Sequence, residues 1–154
     1  MQSHPSEVIL LVEDNPNDEE LTRLAFEQNH ITNPVVVARD GVEALDYLFG
    51  TGAYEGRDIR TQPQLIILDL KLPKINGLQV LQAIREDART SYVPVVVLTS
   101  SKEEQDIIAA YRSRVNAYVQ KPVDFNRFAA AVKELGLFWL LLNESPFKLA
   151  GNMR

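Results

Sequence analysis

The sequence predicts an α/β protein in which helices cover both faces of one doubly wound, five-stranded parallel sheet. Short apolar runs rich in valine and isoleucine alternate along the chain with segments of helical periodicity. A parallel sheet needs this alternation, because a crossover must return the chain before the next strand can run in the same direction. The central run, residues 65–68, is apolar at every position, as expected for a strand that is buried on both faces.

Five strands and five helices can be placed in order. The predicted strands cover residues 7–12, 35–38, 65–68, 94–98 and 117–120. The predicted helices follow the residues Asn15, Asp40, Gly77, Ser101 and Asp124. Residues 50–64 contain three glycines, several charges and a proline, which predicts a loop.

Two helices carry specific start signals. Asn15 is a capping residue, and Pro16 follows it at the first helical position. The residues that follow at helical spacing are Leu21, Leu24, Ala25 and Gln28. Ser101 and Glu104 have the spacing of a capping box, which predicts that Ser101 caps the fourth helix.

Composition favours a globular, cytoplasmic protein with a single core. At 154 residues and 17.4 kDa the chain fits one domain. Its net charge of −5 argues against nucleic-acid binding, and the absence of cysteine excludes disulfides and thiolate chemistry. The sequence shows neither a signal peptide nor a membrane-spanning run of about 20 apolar residues. We expect a tail over residues 1–7, a folded domain over 8–135, and a helical extension and tail over 136–154.

Polar residues follow four of the five predicted strands. They are Glu13 and Asp14, Asp69, Thr99 and Ser100, and Lys121. The carboxyl ends of parallel strands meet at one edge of the sheet, where ligands bind in open α/β folds. Three carboxylates gathered there would repel one another unless a cation joined them, and an all-oxygen ligand set suits Mg²⁺. The Lys121 ammonium and the Thr99 hydroxyl are donors for the oxygens of a phosphoryl group.

These residues resemble the receiver domain of two-component response regulators, a flavodoxin-like fold, over Val8 to Leu135. The resemblance rests on Glu13-Asp14, Asp69, the spacing of Pro73 and Gly77, Thr99, Tyr118 and Lys121-Pro122. It implies that Asp69 accepts a phosphoryl group from the phosphohistidine of a sensor histidine kinase. The protein would then be a switch and not an enzyme, apart from its own phosphorylation and dephosphorylation.

The resemblance also implies a metal site. Asp14 and Asp69 would bind Mg²⁺ directly, with Mn²⁺ as a possible substitute. Glu13 would act through a water molecule, and Lys71 would contribute its backbone carbonyl. Lysine at position 71, two residues past the acceptor, departs from many receivers and leaves the lifetime of the phosphoryl group open.

A second group of residues would bind the phosphoryl group and report it. By the same resemblance Lys121, Thr99 and Ser100 contact the phosphoryl oxygens. Tyr118 would rotate inward as Thr99 moves, and the bond between Lys121 and Pro122 would be cis, which proline permits. A complete switch from 1:99 to 99:1 needs about 5.5 kcal/mol of differential stabilisation.

Three further features resemble the single-domain regulators that partner phytochrome-type kinases in bacteria. They are the long loop after Leu48, the phrase VVVLTSS, and a last helix that continues into FWLLL. In this helix apolar residues lie on every face, which predicts a homodimer, because a helix apolar all round is normally buried all round. The predicted interface residues are Leu137, Phe138, Leu140 and Leu141. In the alternative, residues 145–154 fold back over this helix.

Two other functions stay open from the sequence. A phosphohydrolase with an aspartyl nucleophile would use a related sheet, but it usually needs a second aspartate where this chain has Lys71. A degenerate receiver would bind partners without phosphorylation, but such receivers usually lack the acceptor, the acidic pair or the lysine. The primary hypothesis is therefore a regulator whose phosphorylation on Asp69 changes partner binding or self-association.

Overall fold

One five-stranded parallel sheet organises the chain. The computed structural model describes residues 7–100, 102–121, 126, 127 and 130. The strands are β1 (Ile9–Val12), β2 (Val35–Ala38), β3 (Leu65–Leu68), β4 (Val95–Thr99) and β5 (Ala117–Gln120). The helices are α1 (Pro16–Gln28), α2 (Gly41–Phe49), α3 (Gly77–Glu86) and α4 (Glu104–Arg112), with a short 3-10 helix at Gly52–Tyr54. The strand order is β2-β1-β3-β4-β5 with all neighbours parallel, which confirms the predicted doubly wound fold.

Apolar clusters lie on both faces of the sheet. One contains Leu10, Val12, Ile66 and Leu68 together with residues of α2, α3 and α4. The other contains Ile9, Leu11, Leu65 and Ile67 together with Ala25 and Phe26 of α1. Successive side chains of a strand point to opposite faces, so the two central strands contribute to both clusters. Burial of each large aliphatic side chain stabilises the fold by roughly 1.5–3 kcal/mol and holds the ends of the strands in place.

The register of the central strands sets where the polar residues emerge. Val12 pairs with Ala38 on one side and with Leu68 on the other. The next residues continue this pattern, because the Glu13 amide donates to the Ala38 carbonyl at 2.9 Å and the Asp69 amide donates to the Val12 carbonyl at 3.1 Å. Glu13 and Asp69 are therefore neighbours at the carboxyl edge of the sheet, as predicted.

The buried face of α1 differs from the residues that the spacing suggested. Its buried residues are Thr22, Ala25 and Phe26, whereas Leu24 is 40% exposed. Phe26 offers a larger apolar side chain to the cluster on this side of the sheet, and Thr22 can be buried because its hydroxyl donates to the Asp18 carbonyl at 2.8 Å. The inward stripe is therefore displaced by one residue. The predicted Asn15 cap is confirmed, since its side chain accepts from the amides of Asn17 and Asp18.

The predicted Ser101 capping box of the fourth helix is wrong. The N-cap of α4 is Glu103, which has an extended backbone and makes no side-chain capping hydrogen bond. Helical dihedrals therefore begin at Glu104 and not directly after Ser101. The Glu103 carboxylate lies 3.7 Å from the Lys71 ammonium, an interaction across the sheet edge that local sequence spacing could not reveal.

Gly77 lets α3 start directly against the segment that follows β3. A Cβ atom at this position would lie 2.3 Å from the Asp69 carbonyl oxygen, a distance that backbone atoms cannot accommodate. The Gly77 amide donates to the Leu70 carbonyl at 3.0 Å. Glycine is required here because two pieces of backbone approach each other closely.

The predicted loop between α2 and β3 is held together by Arg57. Its guanidinium donates to the carbonyls of Tyr47 and Thr61, and it stacks 4.1 Å above the Tyr47 ring. The two contacts with Tyr47 attach the loop to the last turn of α2. Gln62 adds a further link, because its side-chain amide donates to the Leu48 carbonyl at 2.9 Å.

Several predictions concern residues outside the described part of the chain. They are the Pro122 cis bond, the Asp124 cap and the interface residues Leu137, Phe138, Leu140 and Leu141. Among the described residues, none of the helices is long and apolar enough to span a bilayer.

Candidate functional site

Three carboxylates meet at the carboxyl edge of the sheet. One oxygen each from Glu13, Asp14 and Asp69 can be chosen so that all three lie within 4.8 Å of one another. Glu13 and Asp69 are only 1% and 4% exposed, whereas Asp14 is exposed. The adjacent ends of β1 and β3 bring them together. Buried carboxylates this close repel one another strongly unless positive charge is present.

Lys121 supplies positive charge to this cluster. It directly follows β5, and its backbone amide donates to the Thr99 carbonyl at 2.9 Å. Its ammonium nitrogen lies 2.7 Å from Glu13 and 2.8 Å from both Asp18 and Asp69. A lysine ammonium has three N–H donors, so these three carboxylates match its full donor capacity. The predicted convergence of Lys121 with the acidic residues is therefore present in the fold.

Burial and charge shift the pKa values of Glu13 and Lys121. Burial raises the pKa of Glu13 from 4.5 to about 7, and the charge of Asp69 adds to the rise, whereas Lys121 opposes it. Burial alone would lower the pKa of Lys121, but its hydrogen bonds to Asp18, Asp69 and Glu13 outweigh that effect and raise it. Lys121 is therefore charged throughout the physiological range, and Glu13 titrates near neutral pH.

The Asp69 carboxylate is held in a defined orientation. Oδ1 accepts from the Lys71 backbone amide at 3.0 Å, and Oδ2 accepts from the Lys121 ammonium at 2.8 Å. Charge-assisted hydrogen bonds of this kind are stronger than neutral ones and fix geometry as well as charge. The Asp69 carboxylate, which directly follows β3, is therefore held in one orientation at the carboxyl edge of the sheet.

A polar cleft of about 480 Å³ lies above this carboxylate. It is lined by Asp14, Asn15, Asp18, Asp69, Lys71, Ser100 and Lys121. A carboxylate and an ammonium that share one open cleft can face a small anionic group from solvent. The cleft therefore combines an oriented carboxylate, an ammonium that can offset the charge of an anionic group, and access from solvent.

The predicted residues of β4 and β5 occupy different positions around the cleft. Ser100 is exposed and lines the cleft, whereas Thr99 is completely buried at the end of β4. Tyr118 pairs with Val97 in the sheet and packs against the apolar cluster on the side of α2 and α3. It also lines a groove of about 430 Å³ beside Ile107 and Tyr111 of α4. The phosphate contact of Thr99 and the rotation of Tyr118 stay predictions.

Sequence reasoning missed Asp18 as a site residue. Its position in the first turn of α1 suggested a charge that interacts with the helix N-terminus. The structure instead places its carboxylate 2.8 Å from the Lys121 ammonium. The only available signal was that the first turn of α1 begins at the same sheet edge as Asp14.

The side chain of Lys71 has a second, unpredicted set of contacts. Its ammonium lies 3.7 Å from Glu103 and 4.0 Å from Asp106 near the start of α4. Lys71 therefore lines the cleft and also faces α4. The predicted metal contact of its backbone carbonyl stays a prediction.

The donor set fits a hard divalent cation. Glu13, Asp14 and Asp69 offer carboxylate oxygens at short mutual distances, and carboxylates are preferred ligands of Mg²⁺ and Mn²⁺. Asp14 is exposed, which leaves room for water in a coordination shell. The direct binding of a metal ion by Asp14 and Asp69, and the role of Glu13 through water, stay predictions.

Comparison with known proteins identifies the family. Residues 9–133 match the response regulator receiver domain. Response regulator Rcp1 from Synechocystis sp. is 38% identical over 139 residues, which cover 90% of this chain and 92% of that protein.

Solved structures agree with this assignment. Bacteriophytochrome response regulator RtBRR has 51% identity and a TM-score of 0.79, with 87% of this chain and 80% of that chain covered. The Mn²⁺-bound form of Rcp1 has 38% identity and a TM-score of 0.73, with 86% and 94% covered. The phosphorylated cyanobacterial phytochrome response regulator RcpA has 39% identity and a TM-score of 0.73, with 88% and 94% covered. The chain therefore belongs to the response regulator receiver family.

Proposed function

We propose that this receiver domain accepts a phosphoryl group on Asp69 from the phosphohistidine of a sensor histidine kinase. The observation that carries the proposal is the Asp69 carboxylate itself. It is buried, it is oriented by the Lys71 amide and the Lys121 ammonium, and it opens onto a polar cleft. The acidic pair Glu13 and Asp14 lies beside it. The phosphorylated RcpA structure is similar over nearly its whole length and supports the same chemistry for this chain.

The chemistry needs positioning and charge neutralisation. A carboxylate oxygen of Asp69 forms a bond to phosphorus while the phosphorus–nitrogen bond of the phosphohistidine breaks, and the leaving imidazole keeps the electron pair and takes up a proton. A carboxylate nucleophile loses no proton when it attacks phosphorus, so no general base is required. Lys121 offsets negative charge on the transferred group through its ammonium.

A divalent ion would supply further positive charge beside the phosphoryl group. Asp14 and Asp69 would hold it, Glu13 would act through water, and the Lys71 carbonyl would complete the protein ligands. Mg²⁺ suits this oxygen set, and the Mn²⁺-bound structure of Rcp1 supports Mn²⁺ as a substitute.

A phytochrome-type kinase is the proposed phosphodonor. The similar structures include RtBRR, a bacteriophytochrome response regulator, and RcpA, a phytochrome response regulator. Because the surface that a kinase contacts is part of the receiver, a sequence identity of 51% to RtBRR supports a donor of the same class. Transfer from a purified phytochrome-type kinase, against an unrelated histidine kinase as control, tests this choice.

Phosphorylation would act on partners and not on a substrate. A dianionic group beside Glu13 and Asp14 changes the local charge and biases the surface around α4 and β5. We propose that the consequence is altered partner binding or self-association of a cytoplasmic homodimer through the C-terminal extension, without nucleic-acid binding. The net charge of −5 supports the last point.

The two rival functions are less well supported. A phosphohydrolase would need an acid two residues beyond Asp69, and Lys71 there is a cation that faces Glu103 and Asp106. A degenerate receiver would have lost part of the constellation, but Asp69, the acidic pair and Lys121 are all together.

One experiment tests the proposed function directly. The protein is incubated with phosphoramidate and Mg²⁺, and its intact mass is followed with time. We expect a gain of one phosphoryl group that is absent in Asp69→Asn and retained in Asp58→Asn, a matched change of an aspartate in the loop before β3. A wild-type protein that gains no mass at any Mg²⁺ concentration would favour the degenerate receiver.

A further inference from the structure

Asp18 stands apart from the other carboxylates that contact Lys121. Glu13 and Asp69 belong to the group of carboxylates that can hold a metal ion, and Asp18 is not in that group. It comes from α1 and not from a strand end, and its side chain is 22% exposed. Nevertheless its oxygen lies 2.8 Å from the Lys121 nitrogen, the same distance as that of Asp69.

The position of Asp18 is fixed by the start of α1. Its backbone amide donates to the Asn15 side chain at 3.2 Å, and its carbonyl accepts from the Thr22 hydroxyl at 2.8 Å. Lys121, by contrast, carries its ammonium on a flexible four-carbon stem. Asp18 is therefore the better-anchored partner in this ion pair, and it can restrain the lysine.

Phosphorylation must redistribute the contacts of Lys121. Asp69 accepts from Lys71 through one oxygen and from Lys121 through the other, so a new bond to phosphorus at either oxygen alters these contacts. One Lys121 N–H must then turn to a phosphoryl oxygen. Glu13 would at the same time face the metal. Asp18 is the contact of Lys121 that neither event withdraws.

We propose that Asp18 is a positioning residue that holds the Lys121 ammonium over the cleft during phosphoryl transfer to Asp69. The inference rests on the proposed function and extends it to a residue outside the metal-binding carboxylates. The opposing effect is repulsion between Asp18 and the incoming anion. It is the weaker effect, because the charge of Asp18 is paired directly with Lys121 and its side chain is partly in solvent.

The test follows phosphorylation by phosphoramidate at a series of Mg²⁺ concentrations in wild type, Asp18→Ala and Asp18→Asn. We expect the maximum rate at saturating Mg²⁺ to fall about tenfold in Asp18→Ala, as for loss of one charge-assisted contact. The half-saturating Mg²⁺ concentration should change by less than about threefold, since Asp18 acts through Lys121. Asp18→Asn keeps an oxygen that can accept from Lys121, and it should lie between wild type and Asp18→Ala.

Glu20→Ala is the matched control, because it removes an exposed carboxylate from the same helix. It should phosphorylate at the wild-type rate. A maximum rate in Asp18→Ala equal to or above that of wild type overturns the inference while the proposed function stands. A phosphorylation rate in Asp18→Ala that is low at low Mg²⁺ but reaches the wild-type rate at high Mg²⁺ also overturns the inference, because Asp18 would then act on the metal. If wild type itself gains no phosphoryl group, the proposed function and the inference both fail.

Discussion

Replacing Lys121 by methionine should expose how strongly the acidic cluster depends on this one cation. Methionine keeps most of the apolar stem but removes the ammonium that lies within 2.8 Å of Glu13, Asp18 and Asp69. Two of these carboxylates are almost completely buried. Removal of one partner from a buried ion pair typically costs 3–5 kcal/mol, so we expect the free energy of unfolding to fall by about 3 kcal/mol at pH 8 without metal.

The loss should depend on pH in a definite direction. The folded-state pKa of Glu13 is already raised to about 7 against 4.5 for the ordinary group, and loss of Lys121 removes an interaction that lowers it. A raised carboxyl pKa means that the folded state holds a proton more tightly than the unfolded state does. Its contribution to stability is complete below about pH 4.5 and is lost as the pH rises through 7. The variant should therefore be least destabilised near pH 5 and most destabilised at pH 8.

Urea denaturation in the presence of a chelator, at pH 5 and pH 8, measures this effect. Lys74→Met is the matched control, because Lys74 is exposed and pairs only at the surface with Asp40 at 3.2 Å; its loss should cost at most about 1 kcal/mol. Added Mg²⁺ should return part of the lost stability to Lys121→Met, since a divalent ion replaces the missing charge. Equal stability of Lys121→Met and wild type at pH 8, or a loss that is the same at both pH values, would refute the reasoning.

Three further predictions follow from other parts of the fold. Gly77→Ala should lower the free energy of unfolding by about 1–3 kcal/mol and slow phosphorylation, because the new Cβ would press on the Asp69 carbonyl. Urea denaturation and the phosphoramidate assay measure these two effects, and unchanged values of both would contradict the close approach of the two backbone segments. Arg85→Met should lower the free energy of unfolding, measured by thermal or urea denaturation, by about 3 kcal/mol, because the Arg85 guanidinium donates to four backbone carbonyls. As a control, replacement of the exposed Arg89 by methionine should lower it by about 1 kcal/mol or less. Mg²⁺ at 100 times its dissociation constant should raise wild-type stability by about 2.7 kcal/mol, and a similar rise in Asp14→Asn would show that Asp14 is not a ligand.

Local sequence patterns predicted β1, β3 and β4 well because every residue of these three strands is buried. A strand with helices on either side must be apolar at every position, and β3 reads this way without any knowledge of its neighbours. The Asn15 cap was equally readable, since a capping side chain and the amides that it accepts from are close in sequence.

The errors arose where a distant contact decided the outcome. The buried face of α1 includes Phe26, and the large apolar cluster beneath it determines the rotation of the helix. Helix α4 starts at Glu104, and the residue before it, Glu103, lies 3.7 Å from the Lys71 ammonium. Along the chain, Lys71 and Glu103 are separated by the whole of α3 and β4. Neither contact can be predicted from the spacing of residues that are close in sequence.

By itself the sequence determined the α/β fold class, the order of the strands along the chain, and the convergence of Glu13, Asp14, Asp69 and Lys121. It could do so because parallel strands place their carboxyl ends at one edge regardless of the details of packing. Only the tertiary structure decided that Asp18 joins this group and that Lys71 faces α4. Those contacts depend on the angle and depth at which each helix packs on the sheet, and these are set by the summed fit of many side chains.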